Sequence, residues 1–261
     1  LGNLYAGSNS THMEKLVGKW FLGNDRPSID SGYTYKFTQG SLFQNGISYT
    51  DIKQGNLANC YYVAGLAANA FRSPNTIKDM FTDNGDNTYT VRLFNNGVAD
   101  YVTVDRYLPT NSYGNLVYAT KSKDYNSSSN ELWVALAEKA YAQLNESGWI
   151  GQDGTNSYKG IEYGWAQKSL EHINGGKFTS KGININNIIN TFNKGEMITL
   201  SSKGDKKTEQ DKDIVGNHVY VMTGYNYSTG TFKLYNPWGS TVVLSYNQIR
   251  EHFKQWNHKV A

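Results

Sequence analysis

One cysteine, Cys60, stands in a chain of 261 residues. A single thiol excludes an intrachain disulfide and any metal site built from clustered cysteines. Charge is scarce too: charged residues make up 18% of the chain and the net charge is only +3. That leaves no polybasic field for nucleic acid or an anionic membrane surface. No apolar run approaches the ~18–20 residues that a bilayer span needs. No signal-peptide pattern is legible, and neither an internal repeat nor a low-complexity block interrupts the text. Hydrophobic residues reach a modest 38%, but 14% of the chain is aromatic, with 20 Tyr and 6 Trp. That is enough bulk for a sizeable core, and the length suits one large domain or two closely packed lobes.

What chemistry there is concentrates in residues 51–70. A polar, glycine-containing loop becomes an apolar run at Cys60. Tyr61, Val63, Ala64, Leu66, Ala67, Ala68 and Ala70 then predict a buried helix, with Asn59 as its N-cap. A thiol at a helix N-terminus meets the positive end of the helix dipole, which lowers its pKa toward the reactive thiolate. Gln54, on the adjoining loop, is an amide donor able to face an oxyanion beside the sulfur. Taken alone, Cys60 fits a nucleophile or one more small buried residue equally well.

The remaining text sorts by period. Residues 1 to about 18 read as a flexible lead-in, and 32–49 as loops with one short strand. A hairpin turn at 83–88 precedes an alternating strand at 89–94, with its continuation over 98–108. Leu132, Trp133, Leu136, Ala137, Ala140, Tyr141 and Leu144 predict a helix with Asn130 as cap. The Gly/Ser/Asn-rich passage 147–160 marks a lobe boundary or a cleft-lining loop. Helices are expected over 165–172 and 183–192. Strands follow at 197–200, 219–225, 231–235 and 242–246, with a closing helix over 248–256. The charged run 203–213 reads as a solvated loop. Helices early and antiparallel strands late predict an α+β fold in two lobes. Its expected layout is a lead-in at 1–30, a helical lobe at 31–155 and a β-rich lobe at 156–261.

A cysteine nucleophile needs a base, and the base needs an orienting group. Of His12, His172, His218, His252 and His258, His218 stands out because it starts a strand after a polar loop. Asn236 ends the next strand, so antiparallel pairing can set the two side chains together. The amide oxygen can then hold the imidazole while Trp238 shields the bond from water. The competing view of Asn-Pro-Trp-Gly is an ordinary turn with a packed tryptophan.

These separated motifs resemble the protease core of the calpain family, of the papain-like clan. Gln54-Gly55 through Cys60 matches its Gln-Gly-x-x-x-x-Cys motif. His218, Tyr220, Thr223 and Gly224 match His-x-Tyr-x-x-Thr-Gly, and residues 236–239 match Asn-Pro-Trp-Gly. The segment 104–109 is similar to a Val-Asp-Asp-x-Leu-Pro stretch, and Glu131-Leu-Trp133 to the opening of a Glu-Phe-Trp helix. The likeness covers roughly residues 40 to 245.

That resemblance implies a papain-like two-lobe fold, with the nucleophile on the helical lobe and His and Asn on the β-rich one. It implies Cys60 as nucleophile, His218 as general acid–base, Asn236 as orienter, Gln54 as oxyanion donor and Trp238 as shield. The reaction implied is hydrolysis of internal peptide bonds through a thioester. The chain departs from the family at Ala58-Asn59, where Gly-Asp is usual, and at Asn217, where Gly precedes the histidine. The resemblance also implies a calcium site in the first lobe, from the Asp51 and Glu131 carboxylates and carbonyl oxygens at Gln44 and Gly46. The second-lobe site looks lost, because 240–246 carries no carboxylate. The expected partners are protein or peptide substrates of a monomer. An acyl transferase with the same triad and an inactive papain-like binding module are the rivals. Low charge and abundant Asn, Ser, Thr, Gly and Tyr lean toward a secreted or surface location in a bacterium, with a cytoplasmic one as alternative.

Overall fold

The computed structural model describes residues 3–204 and 211–260. Its first helix, α1 (Ser10–Val17), starts at Asn9, whose side chain accepts the His12 backbone N–H while a His12 ring nitrogen accepts the Asn9 N–H. Leu16 is buried, and Lys19 reaches Glu146 and Ser147. The segment expected to be a flexible lead-in is therefore helical over much of its length. A reciprocal cap and one buried leucine outweigh its Gly- and Ser-rich composition.

β1 (Thr34–Phe37) is the one strand of the 32–49 region, as its pattern predicts. β2 (Phe81–Asp83), β3 (Thr88–Asn95) and β4 (Val98–Asp105) form an antiparallel meander. The β3–β4 turn places Asn96 at φ 49° and Gly97 at φ 85°, the left-handed pair that Asn-Gly supplies. The strand expected over 98–108 breaks at Asp105. Its carboxylate is drawn to Lys139 and Arg26, and the chain crosses to β5 (Tyr107–Thr110), which pairs with β1 instead.

The helix expected after Asn59 is α2 (Cys60–Arg72), buried continuously from Tyr61 to Ala70. A short α3 (Pro74–Lys78) follows. α4 (Trp133–Leu144) is buried on every face, and Tyr141 stacks on Tyr62 of α2 at 3.9 Å. α5 (Ala166–Asn174) lies against the same helix, with Ser169 Oγ donating to Tyr61 O at 2.8 Å. These helices and the meander enclose the larger of two buried apolar clusters among the described residues.

The later part builds on one antiparallel sheet of six strands. They are β6 (Phe178–Gly182), β7 (Thr199–Ser202), β8 (Val219–Asn226), β9 (Thr231–Asn236), β10 (Ser240–Ser245) and β11 (Phe253–Lys259), in the order β10-β9-β8-β7-β11-β6. α6 (Ile185–Asn193) and α7 (Tyr246–His252) accompany them. The helix expected over 248–256 ends at His252, and the rest is β11. Pairing on both sides, to β6 and β7, overrides the helical spacing of Phe253 and Trp256. β6 escapes sequence reading because it is an edge strand, where lysine and glycine are tolerated. Residues of β8 alternate: Val219 and Val221 enter the first core, Tyr220 and Met222 the second. Helices and sheets together make the chain α+β, as expected.

Candidate active site

Cys60 opens α2, and the loop before it is tied on both flanks. The Gln54 N–H donates to Pro237 O at 2.7 Å and the Asn56 N–H to Val117 O at 2.9 Å. Between them, a Cβ on Gly55 would overlap backbone atoms of Val117 and Tyr118. Only glycine fits that close approach, which is the physical content of the Gln-Gly pair. The Gln54 side-chain Nε2 donates to Leu57 O at 2.6 Å, so one amide hydrogen is spent within the loop.

Asn59 occupies the N-cap position, yet its side chain makes no capping bond. Its Nδ2 donates instead to Glu138 Oε1 at 2.6 Å, in a fully buried pair. That bond turns the Asn59 amide toward Glu138, its Oδ1 takes no N–H of the helix, and the expected cap is not formed. Asn130 likewise does not cap α4; its amide donates to Gln39 O and Asp124 O, and Leu132 takes the cap position.

His218 enters β8 directly after Asn217, whose φ of 50° is left-handed backbone. Asparagine tolerates that conformation and glycine takes it freely. His218 Nε2 lies 2.8 Å from Asn236 Oδ1, and the same oxygen accepts the Trp238 backbone N–H at 2.9 Å. An amide oxygen can only accept, so Nε2 carries the ring proton and Nδ1 remains free to take one. The Trp238 ring sits 4.9 Å from the imidazole at 50°, with about half its surface exposed. Gly239 at φ 97° closes the Asn-Pro-Trp-Gly turn between β9 and β10.

Cys60, Gln54, His218 and Trp238 line one cleft of about 300 Å³, and Asn236 stands behind the imidazole. Of the five histidines, only His218 lines it. Burial pushes the Cys60 thiol up; the N–H groups of Val219, Tyr61 and Cys60 pull the other way but less strongly. The thiol pKa is therefore raised, opposite to the lowering expected from the helix dipole, because desolvation is the larger effect. Burial also pushes His218 down, partly offset by its bond to Asn236. Both shifts favour a neutral thiol–imidazole pair at rest.

Sequence reading missed several residues of this cleft. Tyr163 and Trp165, both well exposed, line it together with Val215, Gly216 and Asn217. Nothing in their local pattern sets them apart from loop aromatics. Glu162 Oε1 accepts the Ala58 N–H at 3.1 Å, two residues before Cys60. Glu138, which reaches Asn59 from α4, lies off the apolar stripe of its helix and beside Lys139, so its sequence reads as an ordinary solvated charge pair.

The run 203–213, expected to be solvated, includes Asp211, which is buried. Asp211 accepts from Gln248 Nε2 at 2.7 Å and lies 3.2 Å from His252 Nε2. Residues 205–210 of that run lie outside the described residues. A second cavity, of about 460 Å³, shares Tyr61 and Trp165 with the cleft. On its wall His172 bonds through Nδ1 to the Tyr141 hydroxyl at 2.9 Å, and burial lowers its pKa to about 4.

Gln44, Gly46, Asp51 and Glu131 line a third cavity, of about 480 Å³, together with Asp124, Lys121 and Lys123. Asp51 Oδ2 accepts the Ser48 N–H at 2.6 Å and Glu131 Oε1 the Gln44 N–H at 2.8 Å. Burial raises both pKa values, and Asp51 raises Glu131 further. Two desolvated carboxylates on one cavity fit a hard dication. No group of three or more His, Cys, Asp or Glu gathers for a metal among the described residues, so carbonyl oxygens must complete such a shell.

A family model described as calpain family cysteine protease matches residues 32–259. The calpain-type cysteine protease ADL1 of Oryza sativa subsp. japonica is 32% identical over 165 residues, covering 62% of this chain and 7% of that protein. Calpain clp-1 of Caenorhabditis elegans is 29% identical over 227 residues, 76% of this chain and 26% of its own. The calpain-1 catalytic subunit of Bos taurus is 28% identical over 229 residues, 79% and 30% respectively. The chain thus spans less than a third of each of these relatives.

Proposed function

The chain belongs to the calpain family of cysteine proteases, and from that premise we propose an endopeptidase with a Cys60–His218–Asn236 triad in a papain-like, two-lobed fold. The observation that carries this reading is the convergence of Cys60, Gln54, His218 and Trp238 on one cleft, with Asn236 fixing the imidazole tautomer. The nucleophile lobe takes residues 31–155 together with α5, whose Ala166, Leu170 and Ile173 lie in the first core. The lobe carrying His218 and Asn236 takes the six-stranded sheet with α6 and α7.

In this mechanism His218 Nδ1 accepts the Cys60 proton as the sulfur attacks a peptide carbonyl. The imidazolium that forms keeps its Nε2–H on Asn236, under Trp238. The Cys60 backbone N–H and the second hydrogen of the Gln54 amide face the oxyanion. His218 then returns its proton to the leaving amine, and water resolves the thioester with His218 as base. Burial works against charge on both the thiol and the imidazole, so in this mechanism proton transfer accompanies attack rather than preceding it.

Asp51 and Glu131, with carbonyl oxygens of Gln44 and Gly46, would hold one calcium ion in the third cavity. Calcium, when bound there, neutralises two carboxylates that burial disfavours in their charged form. Hydrolysis of a fluorogenic casein by wild type and Cys60→Ala, each with calcium or chelator, tests the whole reading. Activity confined to the wild type supports it, and its loss in chelator supports the calcium site. Equal inertness of both proteins under all conditions refutes the endopeptidase.

A further inference from the structure

Glu138 is fully buried in the middle of α4. Its two oxygens accept from two different segments: Oε1 from Asn59 Nδ2 at 2.6 Å, Oε2 from the Ala119 backbone N–H at 2.8 Å. No lysine or arginine pairs with it among the described residues; the neighbouring Lys139 turns away to Asp105 and Tyr107 O. The ionisable groups around the carboxylate are the phenols of Tyr61, Tyr62, Tyr118 and Tyr158. A buried carboxylate with no cationic partner is expensive unless it is fully hydrogen-bonded. Here two donors converge on it, and only a carboxylate offers two acceptor oxygens.

Both donors lead to the catalytic loop. Asn59 is bonded directly to Cys60 in the chain, and its own N–H donates to Leu57 O at 2.9 Å, the carbonyl that also takes Gln54 Nε2. Ala119 belongs to the segment whose Val117 O accepts the Asn56 N–H and whose Thr120 N–H donates to Lys53 O at 2.8 Å. One carboxylate therefore ties the loop that carries Gln54 to the start of α2.

We propose that Glu138 is a positioning residue of the active site, holding the Cys60 N–H and the Gln54 amide in register as the two oxyanion donors. The inference rests on the protease reading of Cys60. It also assigns a function to Asn59: as an amide it donates to Glu138, where an aspartate would set two carboxylates against each other in a dry interior.

The test is a polarity swap. Glu138→Leu removes both acceptor oxygens. Asn59→Asp with Glu138→Gln restores both bonds, since the Gln amide donates to the new carboxylate and its oxygen accepts Ala119. Glu138→Leu should lower kcat on the order of 10–100-fold with KM little changed, the cost of displaced catalytic groups. The double variant should recover to within about threefold of wild type. Asn59→Asp alone should lose activity as pH rises and regain it in acid, where the carboxylate pair shares a proton. Wild-type kcat in Glu138→Leu, or a double variant no better than Glu138→Leu at matched melting temperature, overturns the proposal. If the wild type cleaves nothing, the protease reading fails by itself. The ¹⁵N-labelled Cys60 amide resonance then decides: it must move in Glu138→Leu and return in the double variant, or the proposal falls.

Discussion

His218 Nε2 donates to Asn236 Oδ1 at 2.8 Å, and that oxygen simultaneously takes the Trp238 N–H at 2.9 Å. The amide is thus pinned from its own turn before it orients the imidazole. Asn236→Ala should lower kcat/KM on the order of 100-fold while leaving the fold intact, because the ring loses its preferred tautomer and aim. Asn236→Asp should raise the His218 pKa, since a carboxylate stabilises imidazolium. The acid limb of the pH–kcat/KM profile then moves to higher pH. An unmoved limb in Asn236→Asp would show that His218 is not the titrating base.

Alkylation by iodoacetamide reads the Cys60 thiol directly, with no second cysteine to confuse it. Burial raises this thiol and lowers His218. The alkylation rate of the free enzyme should therefore climb through and beyond pH 9, with no plateau at pH 5–7 of the kind an ion pair produces. A plateau in that acid range would mean a thiolate–imidazolium pair at rest.

Gly55→Ala forces a methyl group into the backbone of Val117 and Tyr118. Overpacking of this kind costs about 1–3 kcal/mol, and the strain falls on the loop that carries Gln54. Denaturant melts should show that loss, accompanied by a fall in kcat. Wild-type stability in Gly55→Ala would mean that the loop has room to shift.

The pKa of His172 falls from 6.5 to about 4 on folding. A group depressed in the fold contributes its full stability above pH 6.5 and loses it as the pH drops toward 4. The loss totals on the order of 3 kcal/mol. Glu138, raised from 4.5 to about 7, works in the opposite direction over an overlapping range. The clean measurement is therefore the difference between wild type and His172→Phe, which retain Glu138 alike. That difference should shrink steadily between pH 6.5 and 4 in denaturant titrations. A constant difference would place the titration elsewhere.

Calcium should raise the melting temperature of the wild type and leave Asp51→Asn with Glu131→Gln unaffected. At a concentration about 100-fold above Kd the gain is about 2.7 kcal/mol. Equal shifts in both proteins would assign the effect to another site.

Much of this was legible in residue order. α2 could be read from its unbroken small and apolar run, β8 and β9 from alternation, and the pairing of His218 with Asn236 from their places at the ends of adjacent strands. What escaped was set by distant contacts. β11 looks helical until β6 and β7 are there to pair with it. The Asn59 cap lost to a carboxylate 79 positions away in the chain. The sign of the Cys60 shift depends on burial by segments that no local window contains.

β8 turns Val219 and Val221 into one core and Tyr220 and Met222 into the other. A single strand is thus the party wall of both interiors. Neither half, synthesised alone, could cover both of its faces, and neither can melt without stripping the other's wall. Thermal denaturation should accordingly run as one cooperative transition, with the cleft around Cys60 lost at the same temperature as the fold.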